Sequence, residues 1–178
     1  MLKKILIGVA VVIVGFVIVV ALQPADFRVE RSTSIEASPA VVFSKVNDLR
    51  TWQEFSPWAK LDPNAKVTFS GPAKGTGSSF AWAGNREVGE GSMTITESRP
   101  HESVRFSLDF VKPFEGKSAV LFTFKPEGDQ KTVVTWTLTG TNNFLFKAVG
   151  LFIDCDKMIG PQFEQGLANL KALSEKQP

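Results

Sequence analysis

TVVTWTLTG, running from Thr132 to Gly140, is followed twenty residues later by PQFEQGLANLKALSE, from Pro161 to Glu175. In the first stretch Val134, Trp136 and Leu138 face one way and Thr135, Thr137 and Thr139 the other. A period of two marks a strand with one covered and one wet face. In the second, Phe163, Leu167, Leu170 and Leu173 recur at helical spacing, with Glu164, Lys171 and Glu175 elsewhere on the surface. A sheet with one apolar face and a long terminal helix with one apolar stripe cover each other, which predicts an α+β domain.

The same alternation extends upstream. Val104, Phe106, Leu108 and Phe110 oppose Arg105, Ser107 and Asp109. Seven strands are predicted, at 27–35, 66–70, 78–83, 88–98, 102–111, 117–125 and 132–140. Turn-forming stretches such as Gly84-Asn85, Arg99-Pro100-His101 and Pro126-Glu127-Gly128-Asp129 separate them. Connections this short predict an antiparallel meander, and so long a sheet curls. Two short helices are expected between strands one and two. Ser38-Pro39 starts the first as N-cap and first helical residue, and Thr51-Trp52-Gln53-Glu54 fits a capping box for the second. The period turns helical from Asn142 onward, with Gly160-Pro161 marking a break or a fresh start.

Ile5 to Leu22 is an uninterrupted apolar run of 18 residues. As a helix it would span about 27 Å, close to the ~30 Å hydrocarbon core of a bilayer. Residues 1–23 are therefore predicted to be a transmembrane anchor, 24–26 a linker and 27–176 the folded domain. Lys3 and Lys4 put the N-terminus on the cytoplasmic side and the domain in the periplasm or outside the cell. Val19-Val20-Ala21 is a passable signal-cleavage site, but the run exceeds the ~7–15 residues of a signal core, which favours an uncleaved anchor. The linker reaches at most ~14 Å, which keeps the domain close to lipid.

Of the 178 residues, 20 are Lys or Arg and 18 are Asp or Glu. Lys3 and Lys4 supply the whole excess, so the remainder is neutral, which argues against nucleic acid as a partner. A single cysteine, Cys155, excludes an internal disulfide, and a single histidine, His101, excludes His-pair metal motifs. His101 sits in a turn, without a second histidine to orient it. Cys155 lies between Asp154 and Asp156, whose charges oppose a reactive thiolate. Gly71 to Gly77 is glycine-rich but leads into a strand, so it lacks the helix N-terminus a phosphate cradle needs. Glu87 and Glu90 are a carboxylate pair on a hairpin, read either as acid–base groups or as solvated charges.

The order of elements, with Phe27 to Ser32, Ser38 to Phe43, Trp52 to Trp58, Trp82 to Asn85, Gly89 to Ile95 and Phe163 to Leu170, resembles the START/SRPBCC superfamily. This helix-grip or birch-pollen-allergen-like architecture wraps a seven-stranded curved antiparallel sheet around a long C-terminal helix. More narrowly, the chain resembles the polyketide cyclase/dehydrase-like branch of bacterial proteins, over residues 27 to about 176. The resemblance implies a cavity between sheet and helix that often holds an apolar ligand; no cofactor is expected.

The 15 Phe and 4 Trp, with no Tyr, supply candidates for that cavity. Trp52, Trp58, Trp82 and Trp136 read either as cavity wall with indole N–H donors or as plain core. The predicted ligand-binding set is Phe55, Trp58 and Trp82, then Met93, Phe106 and Leu108, then Phe122, Trp136 and Phe163. Arg86 is placed at the rim, to meet a ligand carboxylate. The expected activity is membrane-tethered binding of a small hydrophobic or amphipathic, lipid-like molecule. The rivals are a cyclase or dehydratase, which would need an ionisable group inside the cavity, and an envelope interaction module whose interior is filled.

Overall fold

The computed structural model describes residues 1–176. Helix α1 (Leu2–Leu22) precedes strand β1 (Asp26–Ile35). Three short helices follow: α2 (Pro39–Val46), α3 (Leu49–Phe55) and α4 (Trp58–Leu61). The strands β2 (Lys66–Ser70), β3 (Ser79–Ala83), β4 (Glu90–Arg99), β5 (Ser103–Lys112), β6 (Gly116–Pro126) and β7 (Thr132–Thr141) come next, then α5 (Phe144–Gly150) and α6 (Cys155–Glu175). All neighbours are antiparallel, in the order β1-β7-β6-β5-β4-β3-β2. β1 and β2 are the two edges, so α2 to α4 carry the chain from one side of the sheet to the other. β1 pairs along its whole length with β7, from Asp26 opposite Thr141 to Ile35 opposite Thr132.

Local differences from the sequence reading have local causes. Asp48, not Thr51, caps α3: its carboxylate accepts the Arg50 N–H at 3.0 Å, one turn earlier than the capping-box pattern suggests. Pro57 starts a third short helix, α4, where two helices were expected. α6 begins at Asp154, whose Oδ1 accepts from the backbone N–H groups of Asp156 and Lys157. It runs through Gly160-Pro161 without a fresh start, forgoing at the proline the donor that would reach back a turn.

Gly160 has its own reason. The Arg31 guanidinium lies against it, and a Cβ there would stand 2.0 Å from Nη2. Arg31 is the residue that spoils the apolar face of β1, and it points at α6. It grips Asp156 with two bonds of 2.8 Å and Glu164 with a third of 2.8 Å, fastening the helix to the sheet edge. These hydrogen bonds hold the Asp156 carboxyl below the usual aspartate range. A group depressed in the folded state stabilises above its unfolded pKa, and that contribution disappears as pH falls through the folded value. The melting-temperature gap between wild type and Arg31→Gln is therefore expected to be widest near neutrality. It should shrink below the ordinary carboxylate range, as read by circular dichroism melts across an acid series.

α1 stands apart from this body. It is long and apolar enough to cross a membrane, and nearly all of it is exposed. Only Val20, in its last turn, is buried, and α5 is the element it packs on.

Candidate functional site

Burial along β5 locates the site. Val104, Phe106, Leu108 and Phe110 share the concave face, yet Phe106 is 1% exposed and Phe110 38%. One half of the concave face is therefore covered and the other is not. The cover over the first half is aromatic. Trp52 of α3 meets Phe55, Phe106, Phe122 and Trp136 with ring centroids 5.0, 5.6, 5.8 and 5.3 Å apart. Phe163 of α6 stacks on Trp136 at 4.2 Å. Gly166, one turn later, permits that approach, since a Cβ would lie 2.6 Å from the Trp136 ring. Edge-to-face and stacked rings of this kind bury large areas and hold one geometry.

Beyond this plug lies an open cavity of about 770 Å³. Its size falls within the ~300–1,000 Å³ typical of small-molecule sites. Trp52, Trp136 and Phe163 form its inner wall, and Met93, Leu108, Val120 and Leu138 its floor on the sheet. Phe80 and Trp82 wall it on β3. Gly91 lets the Trp82 ring lie flat across β4, where a Cβ would stand 2.6 Å away. The exposed lining residues Pro63, Val67, Glu87, Phe110 and Met158 mark the mouth.

Of the predicted set, Trp58, Trp82, Met93, Leu108, Trp136 and Phe163 lie on the wall. Phe55, Phe106 and Phe122 do not: they are fully buried in the plug, where Trp52 of α3 packs on Phe106 and Phe122 of the sheet and on Phe55 of its own helix. Arg86 is exposed and off the wall; its neighbours Glu87 and Val88 line the mouth instead. Strand alternation cannot separate Phe106 from Leu108. The reach of α3 along the sheet does. Gln53, Phe27 and Phe110 also line the cavity and were missed. The alternation of β5 already carried Phe110, whereas nothing local marks Gln53.

The polar groups of the wall fall into two kinds. Some have partners at the mouth: Asp62 accepts the Asn85 N–H at 2.6 Å, the Glu87 backbone N–H donates to Asn85 Oδ1 at 2.8 Å, and Trp82 Nε1 donates to the Val88 carbonyl at 3.0 Å. Trp136 Nε1 and Gln53 Nε2 are donors with no partner, enclosed by protein and screened from the free space of the cavity. Glu90 is bound to Lys112 at 2.7 Å, away from Glu87. His101 sits exposed in its turn at φ 63°, with its ring against Phe43. Burial, then Asp154 and Asp156, push the Cys155 thiol up, which leaves it protonated and unreactive at neutral pH.

Proteins of known structure share this architecture. The Zhui aromatase/cyclase from Streptomyces sp. R1128 superposes with a TM-score of 0.62 at 12% identity, covering 85% of this chain and 94% of its own. Norcoclaurine synthase from Thalictrum flavum, solved with dopamine and hydroxybenzaldehyde, gives 0.63 at 11% identity, covering 86% and 89%. A protein of Chromobacterium violaceum gives 0.59 at 15% identity, covering 87% and 100%. Likeness at such identity speaks for the fold alone. No curated protein sequence matches the chain. Residues 26–175 match the family described as polyketide cyclase / dehydrase and lipid transport. With the helix gripped by the sheet and the hollow between them, the chain belongs to that family, within the SRPBCC helix-grip superfamily.

Proposed function

We propose that this protein binds a small apolar or amphipathic molecule, and that α1 tethers it to a membrane. The observation that carries the reading is the open cavity of about 770 Å³ on the concave face, whose wall is mostly aromatic and aliphatic, with Trp58, Trp82, Met93 and Leu108 among its side chains. The rings and aliphatic side chains of the wall bury the apolar surface of such a molecule. A ligand that buries about 300 Å² of apolar surface gains roughly 7–8 kcal/mol before the costs of ordering.

Residues 1–23 act as a retained anchor, 24–26 as a linker and the following domain as the binding unit, outside the cytoplasm. The Lys147 ammonium lies 3.0 Å from the Ala21 carbonyl, at the C-terminal end of α1, where a cation is favoured. A contact between domain and helix of this kind supports retention over cleavage.

Native mass spectrometry of the detergent-extracted full chain tests both parts. A co-purifying apolar molecule and an intact N-terminus are the expected result. An empty protein that takes up nothing from a lipid extract would overturn the binding reading.

The second reading is a cyclase- or dehydratase-like enzyme, favoured by the family's own description. Both carboxylates of the wall, Asp62 and Glu87, are at the mouth, and Asp62 is occupied by backbone N–H groups. Release of a chemically altered ligand by the purified protein would establish turnover in place of carriage.

A further inference from the structure

The exposed large apolar side chains of the domain are not scattered. Leu61 and Val67 apart, all of those described beyond α1 fall in two segments. One is the β5–β6 hairpin, with Phe110, Val111 and Phe114. The other is the chain from α5 into α6, with Phe144, Leu145, Val149, Phe152, Ile153 and Met158. Phe152 is 80% exposed. α5 has no buried residue at all, so the core does not account for its presence. The two segments touch, since the Phe114 and Phe146 rings meet edge to face at 5.6 Å.

Strand register says which end of the molecule this is. Gly116 pairs with Phe110 at the tip of the β5–β6 hairpin, and Ser118 pairs with Gly140. Gly140 pairs with Phe27, at the start of β1. The hairpin, the end of β7 and the point where α1 joins the domain therefore share one end of the sheet. α1 confirms it by contact: Val20 is buried at its junction with α5, and Lys147 of α5 bonds the Ala21 carbonyl. The open half of the concave face lies at this same end, and Phe110 and Met158 belong both to the apolar patch and to the cavity wall.

We infer that these two segments form a foot that seats in the surface of the lipid bilayer spanned by α1, so that the cavity opens onto the leaflet and not onto water. This rests on the tethering reading above. The C-terminal turn of α1 marks the level at which an apolar span gives way to headgroups. The foot touches that turn, so its rings sit at the depth where aromatic and aliphatic side chains partition into a membrane interface. Lys147 has the long stem and charged head suited to that boundary. Nine exposed large apolar side chains in two touching segments are otherwise uncommon on a domain facing water. A ligand moving between leaflet and cavity along Phe110 and Met158 never has to cross water.

The test uses the full chain in vesicles of phosphatidylethanolamine and phosphatidylglycerol. In a Cys155→Ser background, single cysteines replace Phe114, Phe152 or, at the opposite end of the sheet, Asp129, and each carries an environment-sensitive fluorophore. Labels at 114 and 152 should shift to the blue and lose most of their emission to nitroxide-bearing lipids, while the label at 129 stays water-exposed and unquenched. Failure of the protein to float with the vesicles would overturn the tether and the foot together. Flotation with all three labels unquenched would overturn the foot alone. Blue-shifted labels that lipid nitroxides do not quench, in a protein that cross-links to itself, would assign the patch to a second copy and overturn the inference as well. Independently, the double variant Phe114→Asp/Phe152→Asp should slow transfer of a fluorescent lipid from vesicles several-fold, with the melting temperature lowered only slightly, since neither side chain is buried or on the cavity wall and only the Phe114–Phe146 ring contact is lost.

Discussion

The double variant Val120→Phe/Leu138→Phe is expected to purify without ligand and to melt no lower than the parent. Val120 and Leu138 are cross-strand partners on β6 and β7, and both face the hollow beside Trp136. Two rings there take up the part of the hollow beside Trp136 that a ligand would otherwise fill. The pair can also pack on each other, as aromatic neighbours on adjacent strands do. In a filled core such enlargement costs about 1–3 kcal/mol, but here the added atoms enter empty space and gain dispersion contacts. Affinity should drop by at least about tenfold, equivalent to ~1.4 kcal/mol. Titration of the parent's co-purified molecule into both proteins, beside melts of each, is the measurement. Equal occupancy in the variant would mean that the ligand binds somewhere other than this cavity.

Phe122→Ala should behave in the opposite way. Phe122 is fully buried in the plug, against Trp52, Phe106 and Trp136. Truncating it removes contacts on every side, and the expected loss is about 3–5 kcal/mol, a large share of the roughly 5–15 kcal/mol that holds a domain folded. Leu108→Ala, two residues beyond Phe106 on the same face of β5, should cost clearly less, because Leu108 is only half-buried and borders space that is already vacant. Urea unfolding of the two variants tests the division of the concave face into plug and wall. Equal losses would show that the two halves are packed alike.

Those two variants also mark where sequence reasoning runs out. Val104, Phe106, Leu108 and Phe110 alternate so regularly that the strand and its inward face follow from the period alone. The helical stripe from Phe163 to Leu173 and the apolar run from Ile5 to Leu22 are equally plain, and the resemblance to the helix-grip superfamily rests on motifs spread over the whole domain. Caps and boundaries near Asp48 and Asp154 were less legible, because several acids and hydroxyls within one turn compete for the same orphan N–H groups. Arg31 looked like a flaw in a strand until its partners, 125 and 133 residues away, were in view.

Periodicity determined by itself which residues form strands and helices, which face of each is apolar, and that a span-length greasy helix precedes the domain. The folded arrangement alone decided which of those inward residues touch one another and which border a void. The reason is that a side chain's direction is set by its own backbone, a local quantity, whereas the cover above it comes from helices far away in the chain. Trp136 shows both halves of the matter. Its place on the inner face is written in Thr135 and Thr137 beside it, but its donor is orphaned only because Phe163, Gly166 and Trp52 close around the ring and bring no acceptor with them.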